Sequence, residues 1–284
     1  MKKILFLIYF FMFFSCTENP FNDDKKIENK TISGYVKLDR VDSYPAGFHG
    51  GVFVWSDGLS IRTKTDVSGY FELELPLASD PLNGAIVDGD YRIYFFLGNY
   101  KVSNIIVTFA KGQIVNDDKL INRKGELLRD VVIEREFGYV TKIIPEIIPE
   151  EYNGLINVLI SLEPSRDDII FKLRGIIIDR DNTIYTGLLI KDIDSDKLIY
   201  SVNIDSAKIL KEYMRPPKKN IQIDFEYNSI NLPKGNYEVI PYLLMDGINF
   251  PSNLNDAIGI DVENFSEEYL NYPLYRIGGK FVVE

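Results

Sequence analysis

The sequence predicts an all-β protein with two antiparallel β-sandwich domains that follow an N-terminal signal peptide. Short segments of alternating apolar and polar residues recur along the chain, and turns rich in Gly and Asp separate them. The chain beyond residue 30 is roughly 250 residues long, which is enough for two domains of ordinary size. We therefore expect one domain over residues 31–136 and a second over residues 137–284.

The clearest alternating segment is residues 61–75. Apolar or neutral residues alternate with charged residues at 61–65, and the same period of two returns at 71–75. Between these runs, Asp66 suits the first position of a tight turn, and Gly69 suits a position that requires a positive φ. We therefore predict a β-hairpin over residues 61–75.

Other short strands are expected throughout residues 31–136. The alternation predicts them around residues 32–36 and at 51–55, 90–96, 104–109 and 131–135. Six motifs occur in order along this region: Ile32-Ser33-Gly34-Tyr35-Val36, Gly51-Val52-Phe53-Val54, Thr63-Lys64-Thr65-Asp66, Gly69-Tyr70-Phe71, Gly89-Asp90-Tyr91 and Lys111-Gly112-Gln113. Together they resemble the carboxypeptidase regulatory-like domain, a small transthyretin-like sandwich. The resemblance implies an accessory module with no active site of its own.

The second region begins with a stretch rich in proline. Pro145, Pro149 and Pro164 predict a semi-rigid junction over residues 137–164 that leads into a strand at 155–162. We expect one short helix at residues 206–214, ended by Pro216 and Pro217. Further strands are predicted at residues 169–178, 187–193, 197–203, 220–227, 237–244 and 277–283.

Two features link this region to known sandwiches. A glycine turn leads into Tyr237 as another leads into Tyr91, which suggests two sandwiches of related design. The run Leu198-Ile199-Tyr200 after an acidic turn, with the Leu-Pro-x-Gly-x-Tyr step that ends at Tyr237, is similar to the bacterial intracellular proteinase-inhibitor family. That resemblance implies an immunoglobulin-like sandwich.

The N-terminus carries an export signal. Lys2 and Lys3 precede an apolar run of about 11 residues, shorter than the roughly 20 that span a bilayer, so residues 1–15 are predicted to be a signal peptide. Cys16, the one cysteine, cannot form an internal disulfide. Its context resembles the lipobox of bacterial lipoproteins, with Phe13 and Phe14 where that family more often has Leu and a small residue. The resemblance implies that Cys16 is acylated and that residues 16–30 form a flexible tether.

Acylation of Cys16 implies that lipid attaches the protein to a membrane of the cell envelope. Thr17 rather than Asp follows Cys16, which in such lipoproteins implies sorting to the outer membrane; the leaflet is left open. The formal net charge of −10 disfavours nucleic acid as a partner, because an acidic surface repels phosphate.

No catalytic combination is visible in the sequence. His49 is the only histidine, and with Cys16 assigned to lipid there is no Cys–His pair and no set of soft zinc ligands. We expect His49 to be a turn residue, and we expect neither an enzyme nor a cofactor.

Three carboxylates form a weak candidate metal site. Asp192, Asp194 and Asp196 share one face if the chain is extended, and oxygen ligands suit Ca²⁺. Lys197 stands where the calcium loop of an EF-hand needs glycine. A solvated turn is therefore the preferred interpretation, with calcium as the alternative.

Four aromatic residues form the candidate binding face: Phe53, Trp55, Tyr94 and Phe96. They lie on the side of two predicted strands opposite the residues assigned to the first core. An exposed apolar patch of this size would mark an interface for a protein or a glycan. The other arrangement, which we favour, is that the second domain or a loop covers them, because a two-domain chain needs some contact between its domains.

The leading hypothesis is a non-enzymatic envelope lipoprotein that binds a protein or a glycan through its sandwich faces or loops. One alternative is binding of the proteinase-inhibitor kind by residues 137–284. A further alternative is a glycan hydrolase, which needs two acidic groups in a cleft about 5–10 Å apart.

Overall fold

The computed structural model describes residues 31–39, 48–76, 86–111, 113–116, 119–166, 169–174, 187–202, 209–214, 217, 219–230, 232–245, 250–262 and 266–284. The predicted signal peptide, Cys16 and the tether lie outside the described residues. Among the described residues, no helix has the length and apolar character needed to cross a bilayer.

The prediction of an all-β fold is confirmed. The first half contributes eight strands: β1 (Thr31–Leu38), β2 (Phe53–Ser56), β3 (Ile61–Lys64), β4 (Tyr70–Glu74), β5 (Gly89–Phe96), β6 (Ser103–Ala110), β7 (Gln113–Ile114) and β8 (Val131–Ile133). The second half contributes eleven: β9 (Phe137–Ile144), β10 (Ile147–Ile148), β11 (Leu155–Pro164), β12 (Ile169–Arg174), β13 (Leu188–Asp192), β14 (Leu198–Val202), β15 (Ile209–Met214), β16 (Lys219–Glu226), β17 (Gly235–Pro241), β18 (Leu243–Met245) and β19 (Gly279–Val283). A single turn of helix, α1 (Leu254–Ile258), and two 3-10 segments (Tyr227–Ser229 and Glu267–Asn271) complete the described elements.

The first half is a sandwich of two sheets. One has the order β3-β2-β5-β6-β7 and the other the order β4-β1-β8. Alternate side chains of both sheets meet in one cluster, in which Val54 and Phe95 face Ile32 and Phe71. The period of two in the sequence has the same origin, since successive side chains of a strand point to opposite faces.

The predicted hairpin over residues 61–75 is wrong, although its turn is present. β3 pairs with β2, whereas β4 pairs with β1 in the other sheet. The turn therefore carries the chain from one sheet to the other. The alternation correctly identifies which side chains are buried, but it contains no information about the partner strand.

The crossing between the sheets is tightly packed around Gly69. This residue has φ of +87°, and a Cβ there would lie 2.1 Å from the carbonyl oxygen of Val36. On the other side of the crossing, the hydroxyl of Thr65 accepts a hydrogen bond from the N–H of Val52 at 3.0 Å and donates to the carbonyl of His49 at 3.1 Å. At position 69, only glycine fits without displacing the backbone.

The second half has three sheets, with the orders β10-β19-β17-β13-β14, β16-β11-β9 and β15-β12-β18. Ile156, Val158 and Ile160 of β11 and Tyr237 and Val239 of β17 belong to the core of this half. Every second residue of β11 is buried in the same way, which reproduces the sequence pattern.

Three expectations for this half are wrong in detail. The proline-rich junction is largely strand, because residues 137–144 pair with β11 as β9. The described part of the predicted helix, residues 209–214, is β15 and pairs with β12 over six positions; pairing with a neighbouring strand overrides a weak local helix preference. The predicted strand at 237–244 divides after Pro241, and its two parts enter different sheets.

The two Tyr-led strands share a local contact. The hydroxyl of Tyr91 donates to the carbonyl of Val87 at 3.0 Å, and that of Tyr237 donates to the carbonyl of Pro233 at 2.7 Å. Each tyrosine therefore fixes the backbone four residues before it, at the start of its own strand. This common geometry agrees with the similarity seen in the sequence.

The turn at Asp66 generates a prediction about pH. Hydrogen bonds to its carboxylate from the Ser68 hydroxyl (2.7 Å), and then from the N–H groups of Tyr70 (3.0 Å) and Ser68 (2.8 Å), hold the pKa of Asp66 below its ordinary value, although desolvation opposes them. A depressed pKa in the folded state stabilises the fold above the pKa of the unfolded chain, and this contribution is lost as the pH falls through the folded-state pKa. We expect Asp66→Asn to lower the free energy of unfolding at pH 6.

The same variant gives the control within one titration. The stability difference between wild type and Asp66→Asn, measured by urea unfolding, is expected to shrink as the pH falls below about 4. A difference that stays constant from pH 6 to pH 3 would show that the charge of Asp66 contributes nothing.

Candidate functional site

The aromatic face predicted as a binding surface is buried. Phe53 and Trp55 are each 4% exposed and Phe96 is fully buried, while Tyr94 is half-buried. All four pack with the hydrophobic core of the second half rather than with that of the first. The sequence pattern correctly assigned these side chains to the face of β2 and β5 opposite the first core, and the second half covers that face. These residues are therefore not an exposed platform.

Rings from both halves interlock on this face. The ring of Phe96 lies 5.3 Å from that of Phe250 and 5.8 Å from that of Tyr272, both at steep angles. Trp55 stacks on Tyr94 with a centroid distance of 5.3 Å. Such pairs contribute about 0.5–1.5 kcal/mol each beyond the area that they bury.

Asn99 joins three parts of the chain beside this aromatic face. Its side-chain amide donates to the carbonyl of Phe137 at 3.3 Å and accepts from the N–H of Tyr275 at 3.0 Å. Its own carbonyl accepts from the N–H of Glu136 at 3.0 Å. Because Asn99 is buried, these bonds fix the start of β9 and the C-terminal segment against the β5–β6 turn.

A cleft of about 480 Å³ opens next to this junction. One side is formed by residues of the first half, and residues 270–278 of the C-terminal segment form another; the first-half residues are Phe48, Gly50, Gly51, Lys64 and Leu97. The outer faces of β13, β17 and β19 form the floor through Lys191, Ile193, Glu238, Ile240 and Lys280. The volume lies within the range of small-molecule sites.

The cleft has a positive lining on an acidic protein. Four cationic residues line it, and the only carboxylate among its lining residues is Glu238; the cationic residues are Lys64, Lys191, Arg276 and Lys280. The chain as a whole carries a formal charge of −10. The local charge is thus opposite in sign to that of the molecule, which favours an anion in the cleft.

Three of these charges form a row across the floor. Lys191 of β13 is the cross-strand partner of Glu238 of β17, which in turn is the partner of Lys280 of β19. The Nζ of Lys191 lies 3.7 Å from the Glu238 carboxylate, and both side chains are about one-fifth exposed, at 21% and 19%. Lys280 is exposed. Directly opposed residues share one face, so all three side chains line the same surface.

Arg276 supports the wall of the cleft. Its guanidinium donates to the carbonyls of Leu270 (2.9 Å), Tyr272 (3.1 Å) and Tyr269, and it lies 4.4 Å from the centre of the Tyr269 ring. Burial raises the pKa of Tyr269, and the Arg276 charge opposes that rise. Lys64 contacts the same wall from the first half, since its Nζ donates to the carbonyl of Asn271 at 3.3 Å.

His49 has a structural role. Its Nδ1 accepts a hydrogen bond from the N–H of Leu38 at 3.0 Å. Desolvation lowers the pKa of His49, and the nearby charge of Lys37 lowers it further, so the neutral ring that can accept this bond is favoured. His49 was expected to be a turn residue, but it lies in an irregular segment before β2 and contacts the end of β1.

The three aspartates considered for calcium do not converge. Asp192 accepts from the N–H of Ser195 at 2.7 Å, Asp194 accepts from Asn236 at 3.1 Å, and Asp196 pairs with Lys191 at 2.7 Å. Within the described ranges, no group of three or more His, Cys, Asp or Glu residues could hold a metal ion. The chain turns at residues 193–195, so the extended geometry behind the calcium alternative is absent there.

The paired carboxylates required by the hydrolase alternative do not occur in the cleft, since Glu238 is the one carboxylate among its lining residues. A shallower hollow at residues 255–262 contains Asp256 and Asp261, and both are exposed. Catalytic acids of this kind need an environment that separates their pKa values, which an exposed position does not provide.

The cleft itself is a feature that the sequence did not predict. Lys191, Glu238 and Lys280 lie in segments separated by more than 40 positions, so no local pattern connects them. Only the strand order β19-β17-β13 brings them together.

Comparisons with known proteins add little. No protein-family model and no curated protein matches the chain. One solved structure, BcpA, the major pilin subunit of Bacillus cereus, aligns with 12% identity over 75% of this chain, at a TM-score of 0.25. The alignment spans 64% of the pilin chain, less than two thirds of its length. A likeness at this level supports no statement about fold or function.

The buried aromatic face yields a prediction about stability. We expect Phe96→Ala to lower the free energy of unfolding by about 3–5 kcal/mol, because the substitution leaves a cavity between the two halves. Denaturant unfolding of the full chain measures the change. Val132→Ala on β8, where the side chain is 58% exposed, is the control and should change stability by less than about 1 kcal/mol. A loss below about 1 kcal/mol for Phe96→Ala would mean that the halves do not pack through this face.

Proposed function

We propose that this protein is a non-enzymatic lipoprotein of the cell envelope that binds an extracytoplasmic ligand in the cleft between its two halves. The observation that carries the proposal is the cleft itself, whose lining contains four cationic residues, two of them on the floor, and one carboxylate. A concave site beside a well-packed junction is the usual form of a small-ligand site.

The rigid junction around the cleft supports a role in binding. Both walls are fixed by the hydrogen bonds of Asn99, the ring contacts of Phe96 and the hydrogen bonds of Arg276. The residues that line the site therefore need little rearrangement when a ligand enters. Preformed sites lose less conformational entropy on binding than flexible ones. The walls carry no nucleophile paired with a base, so the proposed role is binding rather than turnover.

Attachment to the membrane rests on the N-terminal sequence. The short apolar run followed by Ser15 and Cys16 is the basis for proposing acylation at Cys16 and, with Thr17 next in the chain, location at the outer membrane. Each buried CH₂ of an acyl chain contributes about 0.8 kcal/mol to membrane binding, so several chains on one cysteine hold a protein firmly.

Lipid attachment can be tested directly. Cells that express the full chain are fed labelled palmitate, and the protein is recovered and examined for label and for loss of residues 1–15. We expect a labelled, shortened wild-type protein and an unlabelled Cys16→Ser variant. Recovery of an unlabelled wild-type protein with its leader attached would contradict the proposal.

Ligand binding is tested separately by affinity capture from envelope extract with the full chain in detergent. The wild-type protein is compared with Lys280→Glu, which reverses one exposed charge of the cleft, and with Lys142→Glu, which makes the same change on the outer face of β9. A component captured by wild type and Lys142→Glu but lost with Lys280→Glu would support the site. Identical capture by all three proteins would contradict it.

A further inference from the structure

We infer that the cleft binds a saccharide that carries a carboxylate, with the acid group held by Lys280 of the floor and the sugar ring against the aromatic wall. This inference rests on the proposed binding function and assigns its ligand class. It follows from the charge row, the paired edges of β13 and β17 and the rings of Phe48 and Tyr275.

The charge row fixes the position of the acid group. Lys191 and Lys280 flank Glu238 on neighbouring strands, and the Lys191 ammonium is already shared between Glu238 (3.7 Å) and Asp196 (2.7 Å). Lys280 is exposed, so its ammonium is accessible from the cleft. A ligand carboxylate next to Lys280 would gain a charge-assisted hydrogen bond, while Glu238 would repel a second acid group placed close beside it. The row therefore suits a ligand with separated carboxylates.

The wall passes close over Glu238. A Cβ at Gly278 would lie 2.3 Å from a carboxylate oxygen of Glu238, so the backbone there lies against this side chain. A larger residue at position 278 would require the Glu238 side chain to move. Glu238 therefore lies beneath the wall formed by residues 270–278, whereas Lys280 is exposed.

Two of the floor strands offer no backbone edge to a peptide. β13 pairs with β14 and β17, and β17 pairs with β13 and β19, whereas β10 pairs with β19 at Val282 and Val283. A peptide that adds to a sheet needs unpaired N–H and C=O groups along an edge, and strands paired on both sides have none. On β13 and β17 a ligand is therefore recognised through side-chain charge and shape, which favours a compact saccharide over an extended acidic peptide.

The wall provides a surface for a sugar ring. Phe48 and Tyr275 are half-buried, and their ring centroids are 6.0 Å apart at the rim of the cleft. Leu270 and Ile277 extend this apolar surface. A site that combines apolar side chains with a few placed charges matches the general composition of ligand pockets.

The test is calorimetric titration of the full chain in detergent with three probes of similar length: an oligomer of galacturonic acid, a neutral oligomer of glucose and a short peptide of glutamate. We expect saturable binding of the galacturonic acid oligomer, weakened by added salt, and at least about tenfold weaker binding of the neutral sugar. Stronger binding of the glutamate peptide than of the sugar acid would overturn the assigned ligand class, as would equal binding of the acidic and neutral sugars.

Variants locate the binding and separate this inference from the proposed function. Lys280→Glu should lower the affinity for the galacturonate oligomer at least about tenfold. Lys142→Glu, with the same change in net charge, should change that affinity less than about twofold. Equal effects of the two variants would overturn the assignment of binding to the cleft. If galacturonate fails to bind while capture from envelope extract still depends on Lys280, the ligand class is wrong and the binding function stands. If capture is also independent of Lys280, both are wrong.

Discussion

The contact between the outer face of β2 and β5 and the C-terminal part of the chain organises the whole molecule. Phe53, Trp55 and Phe96 belong to strands whose other face builds the first core, yet these three side chains lie in the second core. The part of β2 and β5 that carries these rings is thus buried on both sides. Burial of large rings contributes about 1.5–3 kcal/mol per side chain, so this face is a major source of stability for both halves.

The cleft is a consequence of that contact. Residues 270–278 reach the first half because the Phe96 face and Asn99 hold them there, through the Tyr272 ring and the N–H of Tyr275. Gly98 adds a hydrogen bond of 2.6 Å from its N–H to the carbonyl of Pro273. The same segment then forms a wall above the charged floor, so stability and the candidate site share their supporting residues.

The sequence predicts local properties of this fold well and long-range ones poorly. Alternation identified which side of β2 and β5 carries Trp55 and Phe96, because side-chain direction follows from position along a strand. It did not reveal that β3 and β4 enter different sheets, or that residues 209–214 form a strand rather than a helix. Partner choice depends on contacts between distant segments, which period and turn residues do not specify.

The same distinction separates the candidate sites. The three aspartates at 192–196 formed a candidate calcium site because they are close in sequence. The turn there directs each carboxylate to a different partner. The charged row of Lys191, Glu238 and Lys280 has no local sequence signal, since its members are brought together by pairing of three strands. A pair of distant lysines becomes recognisable only when the strand order is known.

The two halves share one packed face, and we therefore expect them to unfold together. Trp55, the only tryptophan, lies in that face and is 4% exposed, so its fluorescence reports directly on the junction. In a urea titration of the full chain, we predict that the fluorescence transition and the loss of β-sheet circular dichroism have the same midpoint, as a single cooperative unit requires. A fluorescence transition that is complete while the circular dichroism remains native would contradict joint unfolding of the two halves.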